Sequence, residues 1–220
     1  MSEVVQEVSG PEVSGPEALT DVIDVSRETL SALNRYVLML QEWQTKLNLV
    51  GPATLPDAWR RHILDSAQLF PLIEKPEETV WIDMGCGAGF PGLVMAIMGV
   101  GEVHLVESIA KKCRFLEAVV DALALHDRVI IHNARLEALK PFKADIISAR
   151  ALAKLTQLFD WGHPFAASST RWLLLKGQDV EAELAEAQQK WAFEYDLHAS
   201  LSDPRGRIVE ARGVARKAKK

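Results

Sequence analysis

The spacing of apolar positions changes character at Pro76. Upstream, Leu30, Leu33, Val37, Leu40 and Leu47 fall on one face of a helix. Ser26 stands before them as an N-cap, which predicts a helix running to about Lys46. Gly51-Pro52 ends it, and a second helix is expected from Pro56-Asp57 to just before Pro71. Downstream, short apolar runs alternate with helical patterns. Strands are expected at 79–83, 102–107, 129–132, 145–148 and 171–175, and helices at 91–98, 109–124, 152–162 and 179–190. Two further runs, 191–198 and 207–211, flank Ser202-Asp203-Pro204-Arg205-Gly206 and read as a hairpin. The fold class is therefore α/β. A mostly parallel, doubly wound sheet of seven strands ends in an antiparallel hairpin and follows an N-terminal helical extension.

Charge and composition refine this division. Residues 1–28 hold seven acids and one base, and residues 205–220 hold seven bases and one acid. The first segment repeats Val-Ser-Gly-Pro-Glu at residues 8–12 and 13–17. The expected organisation is a disordered acidic tail at 1–25, helices at 26–76, the sheet domain at 77–214 and a basic tail at 215–220. The basic end suggests a nucleic-acid contact, although a solvated tail has the same composition. Of the 220 residues 48% are hydrophobic, enough for a core without crosslinks. Cys86 and Cys113 form no ligand pattern, so no metal site is expected. The acidic first residues hold no apolar run, so a leader is not expected, and the apolar run near 93–100 is far shorter than the roughly 18 residues of a membrane span. A cytoplasmic protein without a membrane partner is expected.

The densest chemical signal lies between the first strand and its helix, in Asp83-Met84-Gly85-Cys86-Gly87-Ala88-Gly89-Phe90-Pro91-Gly92. Gly85, Gly87 and Gly89 match the turn of S-adenosylmethionine (SAM) enzymes. Gly87, Gly89 and Gly92 match that of nicotinamide dinucleotide oxidoreductases. A carboxylate at Asp83 would repel a pyrophosphate and attract the cationic groups of SAM. Glu107, at the end of the second strand, suits the ribose hydroxyls of either cofactor. The closing hairpin is unlike two matched dinucleotide-binding halves, which again favours SAM.

Other candidates follow the later strands, where an open α/β sheet holds its ligands. After the third strand, Glu137 and backbone groups can meet an adenine edge while Leu136 packs on its face; an ordinary polar loop has the same composition. After the fourth, Arg150 can bind the cofactor, a phosphate or guanine O6. No Asn/Asp-Pro-Pro-aromatic turn stands there, and neither cysteine lies at that strand end. That pattern fits direct transfer to guanine N7, whose lone pair needs no proton removed. Lys176 reads as a phosphate contact or a surface lysine. Arg61, His62 and Asp65 share a helical surface, as a substrate wall or as a solvated pair beside a packed histidine.

Several of these segments together resemble the bacterial ribosomal RNA small subunit methyltransferase G family, also called glucose-inhibited division protein B. The resemblance rests on Arg61-His62-Ile63-Leu64-Asp65-Ser66, the Asp83–Gly92 run, Glu107-Ser108 with Lys111-Lys112 and Arg114-Phe115-Leu116, Ser148-Ala149-Arg150-Ala151, and Leu175-Lys176-Gly177. It covers about residues 30 to 210. It implies a Rossmann-like class I SAM-dependent methyltransferase fold and methylation of guanine N7 in 16S ribosomal RNA, free or in the 30S subunit. It further implies cofactor contacts at Gly85, Phe90, Leu136, Glu137 and Arg150, and a ribose contact at Glu107. Lys176 becomes a substrate or cofactor contact, and His62 a positioning residue. A monomer is expected. An oxidoreductase and a non-catalytic SAM- or RNA-binding module remain open alternatives. Cys86 departs from the family pattern, in which a small hydroxyl residue is common there.

Overall fold

The computed structural model describes residues 11–218. A short helix α1 (Pro16–Thr20) leads into α2 (Arg27–Gln44). The Ser26 hydroxyl accepts from the Thr29 amide at 3.0 Å, so α2 has the cap its sequence called for. The segment from 52 to 72 departs from the single helix expected there. It runs as a 3-10 turn (Pro52–Asp57), a π-helical turn (Trp59–Leu64), α3 (Asp65–Ala67) and a second 3-10 turn (Phe70–Leu72). Pro56 lies within the first of these and has no amide to donate, which disfavours a regular α-helix through it.

Then β1 (Val80–Met84), α4 (Gly92–Met98), β2 (Glu102–Glu107), α5 (Ala110–Leu123), β3 (Val129–Asn133), β4 (Ala144–Arg150), α6 (Leu155–Gly162), β5 (Ala166–Lys176) and α7 (Val180–Lys190) alternate. The chain closes with β6 (Trp191–Ala199) and β7 (Arg207–Arg216). The sheet has seven strands in the order β3-β2-β1-β4-β5-β7-β6. The first five are parallel, while β7 runs antiparallel to both β5 and β6. The order reverses at β1, which places the crevice for a ligand at the carboxyl ends of β1, β2 and β4.

Side chains alternate across the strands and divide the core in two. Trp81, Val103, Leu105 and Leu173 pack beneath α2, α4 and α5. Ile82, Val106, Ile147, Trp172 and Leu174 pack beneath α6 and α7. Leu33, Tyr36 and Leu40 of α2 belong to the first of these cores, together with residues of β1 and β2. The expected boundary at 76/77 therefore does not separate two cores.

The acidic tail needs the same correction as far as it is described. Val13, Leu19 and Ile23 are buried in the first core, and Leu19 and Ile23 stand one helical turn apart. Their burial offsets the entropy of ordering a segment whose composition reads as disordered. Residues 1–10 lie outside the described residues. At the other end β7 continues into the expected basic tail. There Arg216 pairs with Asp160 and covers the Trp191 ring, 5.0 Å from its centroid. Residues 219–220 lie outside the described residues. No helix among the described residues is long and apolar enough to cross a membrane.

Candidate active site

The glycine run makes the turn between β1 and α4, and Asp83 holds it from behind. Asp83 is fully buried; its Oδ2 accepts from the Gly92 amide at 2.8 Å and its Oδ1 from the Ser148 hydroxyl at 2.8 Å. Ser148 in turn accepts from Trp81 Nε1 at 2.8 Å. Burial pushes the Asp83 carboxyl up to about 7, against the pull of those hydrogen bonds and of Arg150. This approach needs Gly92, since a Cβ there would stand 2.7 Å from the Asp83 Cβ. Gly89 adopts φ +102° beneath the Tyr36 hydroxyl, which donates to the Ala88 carbonyl. Asp83 and Gly89 line neither cavity described below. Both were expected to face the cofactor, and the geometry corrects this: they support the turn from inside the core.

Two cavities open on the other side of the turn. One, of about 420 Å³, is lined by Glu107, Ile109, Leu136, Glu137, Leu152 and Trp161. The other, of about 550 Å³, is lined by His62, Asp65, Phe90, Arg150, Lys176 and Asp203, among others. Gly85, Gly87, Lys112 and Ala151 line both. Glu107 accepts from the Gly87 amide at 3.1 Å and from the Ile109 amide at 2.8 Å. One bond per oxygen leaves further lone pairs for ligand hydroxyls. Leu136 is buried at the edge of this cavity, and Glu137 is exposed beside it. Ile109 and Leu152 are apolar yet half exposed where they line it. Sequence reasoning passed over both, although each stands two residues after a residue it had singled out.

In the larger cavity the segment 52–68 meets the end of β4. Arg150 donates to Asp65 Oδ2 at 3.0 Å, to the Arg61 carbonyl at 3.0 Å and to His62 Nδ1 at 3.2 Å. Its guanidinium lies over the Phe90 ring, 4.9 Å from the centroid. Phe90 is stacked between His62 and Tyr36, at 5.0 and 5.2 Å. Burial, with Arg150 and Arg61 nearby, pushes His62 down to about 3, so its ring is neutral. A guanidinium donates and never accepts, so Nδ1 carries the lone pair and Nε2 the proton. Nε2 then donates to the Thr54 hydroxyl at 2.9 Å, which donates to the Gly51 carbonyl at 2.7 Å. Helical spacing brought Arg61, His62 and Asp65 together, but Asp65 pairs with Arg150, not with its helix neighbour. Thr54 had no signal in the sequence.

Lys176 lines the larger cavity, but its Nζ donates to the Ala153 carbonyl at 2.8 Å and pairs with Glu183 at 2.7 Å. It ties the segment after β4 to α7 at the edge of the cavity where a phosphate contact was expected. The β6–β7 connection forms the far wall. Arg61 pairs with Asp203 at 3.2 Å, Ser202 donates to Asp65 Oδ1, and Gln68 Oε1 accepts from the Leu201 amide at 2.7 Å. The sequence marked this connection only as a turn.

A sheet of this order, with a glycine turn after β1 and an acid ending β2, defines a protein of the SAM-dependent methyltransferase fold. A SAM-dependent methyltransferase from Aquifex aeolicus shares it, with a TM-score of 0.57 over 72% of this chain and 94% of that one, at 14% identity. The family model of the rRNA small subunit methyltransferase G matches residues 29–207, and the chain belongs to that family. A protein of Caulobacter vibrioides named ribosomal RNA small subunit methyltransferase G is 49% identical, covering 93% of each chain. One of the same name from Rhodospirillum rubrum is 47% identical over 88% of this chain and 95% of its own. Membership removes the nicotinamide reading of the glycine run.

Proposed function

We propose that this protein transfers a methyl group from SAM directly to N7 of a guanine in 16S ribosomal RNA, free or in the 30S subunit. The reading rests on the junction of two cavities at one glycine turn, in a chain that belongs to this family. The donor set fits SAM: Glu107 offers free lone pairs to ribose hydroxyls, and Leu136, Ile109 and Leu152 offer apolar surface to an adenine. Gly85 and Gly87 bring bare backbone to the junction, while Phe90 and Arg150 face the second cavity. When bound, SAM supplies an electrophilic methyl group on a cationic sulfur.

Guanine N7 carries its own lone pair, so this chain needs no general base. Accordingly His62, the neutral imidazole nearest Arg150, has both nitrogens engaged. Arg150 orients the base through its remaining N–H groups, which suit the O6 acceptor beside N7 or a neighbouring phosphate. Asp65, His62 and Phe90 fix the guanidinium before the substrate arrives, which lowers the cost of alignment. We assign the protein to the cytoplasm and to a monomeric state, with residues 26–76 and 77–214 acting as one catalytic unit.

The test is transfer of tritiated methyl from SAM to 30S particles and to 16S RNA, followed by nucleoside analysis. N7-methylguanosine is expected. A different methylated nucleoside would overturn the assignment. Absence of product from folded, SAM-binding protein would leave a binding module in its place.

A further inference from the structure

The cations around the larger cavity are nearly all committed. Arg150 is paired with Asp65, Lys176 with Glu183 and Arg61 with Asp203. At the outer lip Arg207 donates to the Pro204 and Gly206 carbonyls. Lys112 remains. It rises from the first turn of α5, half-buried, and among the described residues its ammonium has no carboxylate or carbonyl partner. The nitrogen hangs over the glycine turn, 4.0 Å from where a Cβ on Gly87 would stand. Of the four residues that line both cavities, Lys112 alone is charged.

We propose that Lys112 receives the α-carboxylate of the cofactor's methionyl group. The inference rests on the SAM reading above. SAM carries one anionic group, that carboxylate. The adenosine belongs in the cavity with Glu107, and the methyl must point into the cavity with Arg150. The amino-acid arm therefore lies against the boundary between them, where Lys112 is. Glu107 sits on the same turn through Gly87 and would repel an approaching carboxylate; an unpaired ammonium beside it offsets that repulsion. Arg150 is the less suitable partner, because Asp65 already neutralises it and it lines only the larger cavity.

Two probes separate this role from a structural one. S-adenosylhomocysteine carries the carboxylate; methylthioadenosine shares its adenosine and thioether but lacks the amino acid. Calorimetric titration of the full chain should show Lys112→Met weakening S-adenosylhomocysteine about tenfold or more, as for one charge-assisted bond. Methylthioadenosine should bind Lys112→Met as it binds the native protein, and Lys112→Arg should retain most of the affinity for S-adenosylhomocysteine. Lys112→Gln, measured beside them, gives the same comparison if the methionine variant melts early. Equal weakening of both probes would overturn the proposal. So would unchanged S-adenosylhomocysteine binding with weakened 16S RNA binding, which would assign Lys112 to a phosphate. If the native protein bound neither probe, the SAM reading would fall, and the proposal with it.

Discussion

His62 is held between a group that can only donate and a hydroxyl that must accept. Arg150 fixes Nδ1 as the acceptor, which leaves the ring one tautomer and directs the proton toward Thr54. Thr54→Val should strand the Nε2 proton while Arg150 still holds Nδ1 as the acceptor. The ¹⁵N shifts of the His62 ring should keep one tautomer but move at Nε2, and methyl transfer should slow by roughly tenfold, the worth of about one hydrogen bond. Thr54→Ser should restore both; mixed tautomers in Thr54→Val would refute the hold of Arg150 on Nδ1. Because burial drives His62 down to about 3, those ring shifts should also stay flat from pH 8 to pH 5. Little of this was legible beforehand. The spacing of Arg61, His62 and Asp65 announced one surface, but Arg150 lies 88 residues from His62, and no local pattern carries a partner over that distance.

The turn between β1 and α4 works as a unit with the strands behind it. Asp83 ties the first turn of α4 to Ser148 on β4, and Trp81 steadies the serine. The carboxyl is expected to titrate near 3.8 when unfolded and is raised to about 7 when folded. The folded state therefore holds the extra proton between those values. Stability from this group is full below about 4 and is lost as the pH rises toward 7. Asp83→Asn removes that titration. The margin in melting temperature of native protein over Asp83→Asn should shrink from pH 5 to pH 8, and a widening margin would contradict the assignment. At this scale the sequence was a good guide. The 102–107 strand appears with its expected bounds, as β2, because turn residues flank a clean apolar run on both sides. The 52–72 segment was misjudged, since the helical spacing of its apolar residues does not distinguish α, π and 3-10 turns. Asp83 was placed correctly at the strand end. Its direction was not legible, because alternation along β1 turns it toward the core and away from the ligand.

Across the whole molecule, the catalytic crevice is assembled from stretches far apart in the chain. The 49–65 segment supplies one wall, the glycine turn supplies the floor, the ends of β4 and β5 close the side and the β6–β7 connection supplies the far wall. The architecture was legible because alternating strand and helix patterns leave few topologies. The domain boundary was not, because a change of hydrophobic period does not reveal that both sides share one core. Around the far wall Arg205 is largely exposed, next to Asp203 and Arg207. If this face meets ribosomal RNA, affinity should fall with salt, with a log–log slope of about −0.7 for each single-stranded phosphate engaged. Filter binding from 50 to 300 mM potassium chloride would measure it, and a flat profile would exclude the face as an RNA contact. The wall from Thr54 to Asp65 also bears on selective inhibition. It belongs to the helical extension and not to the sheet that many methyltransferases share. A small molecule spanning the glycine turn and reaching Thr54 would read a surface that cofactor mimicry alone does not touch.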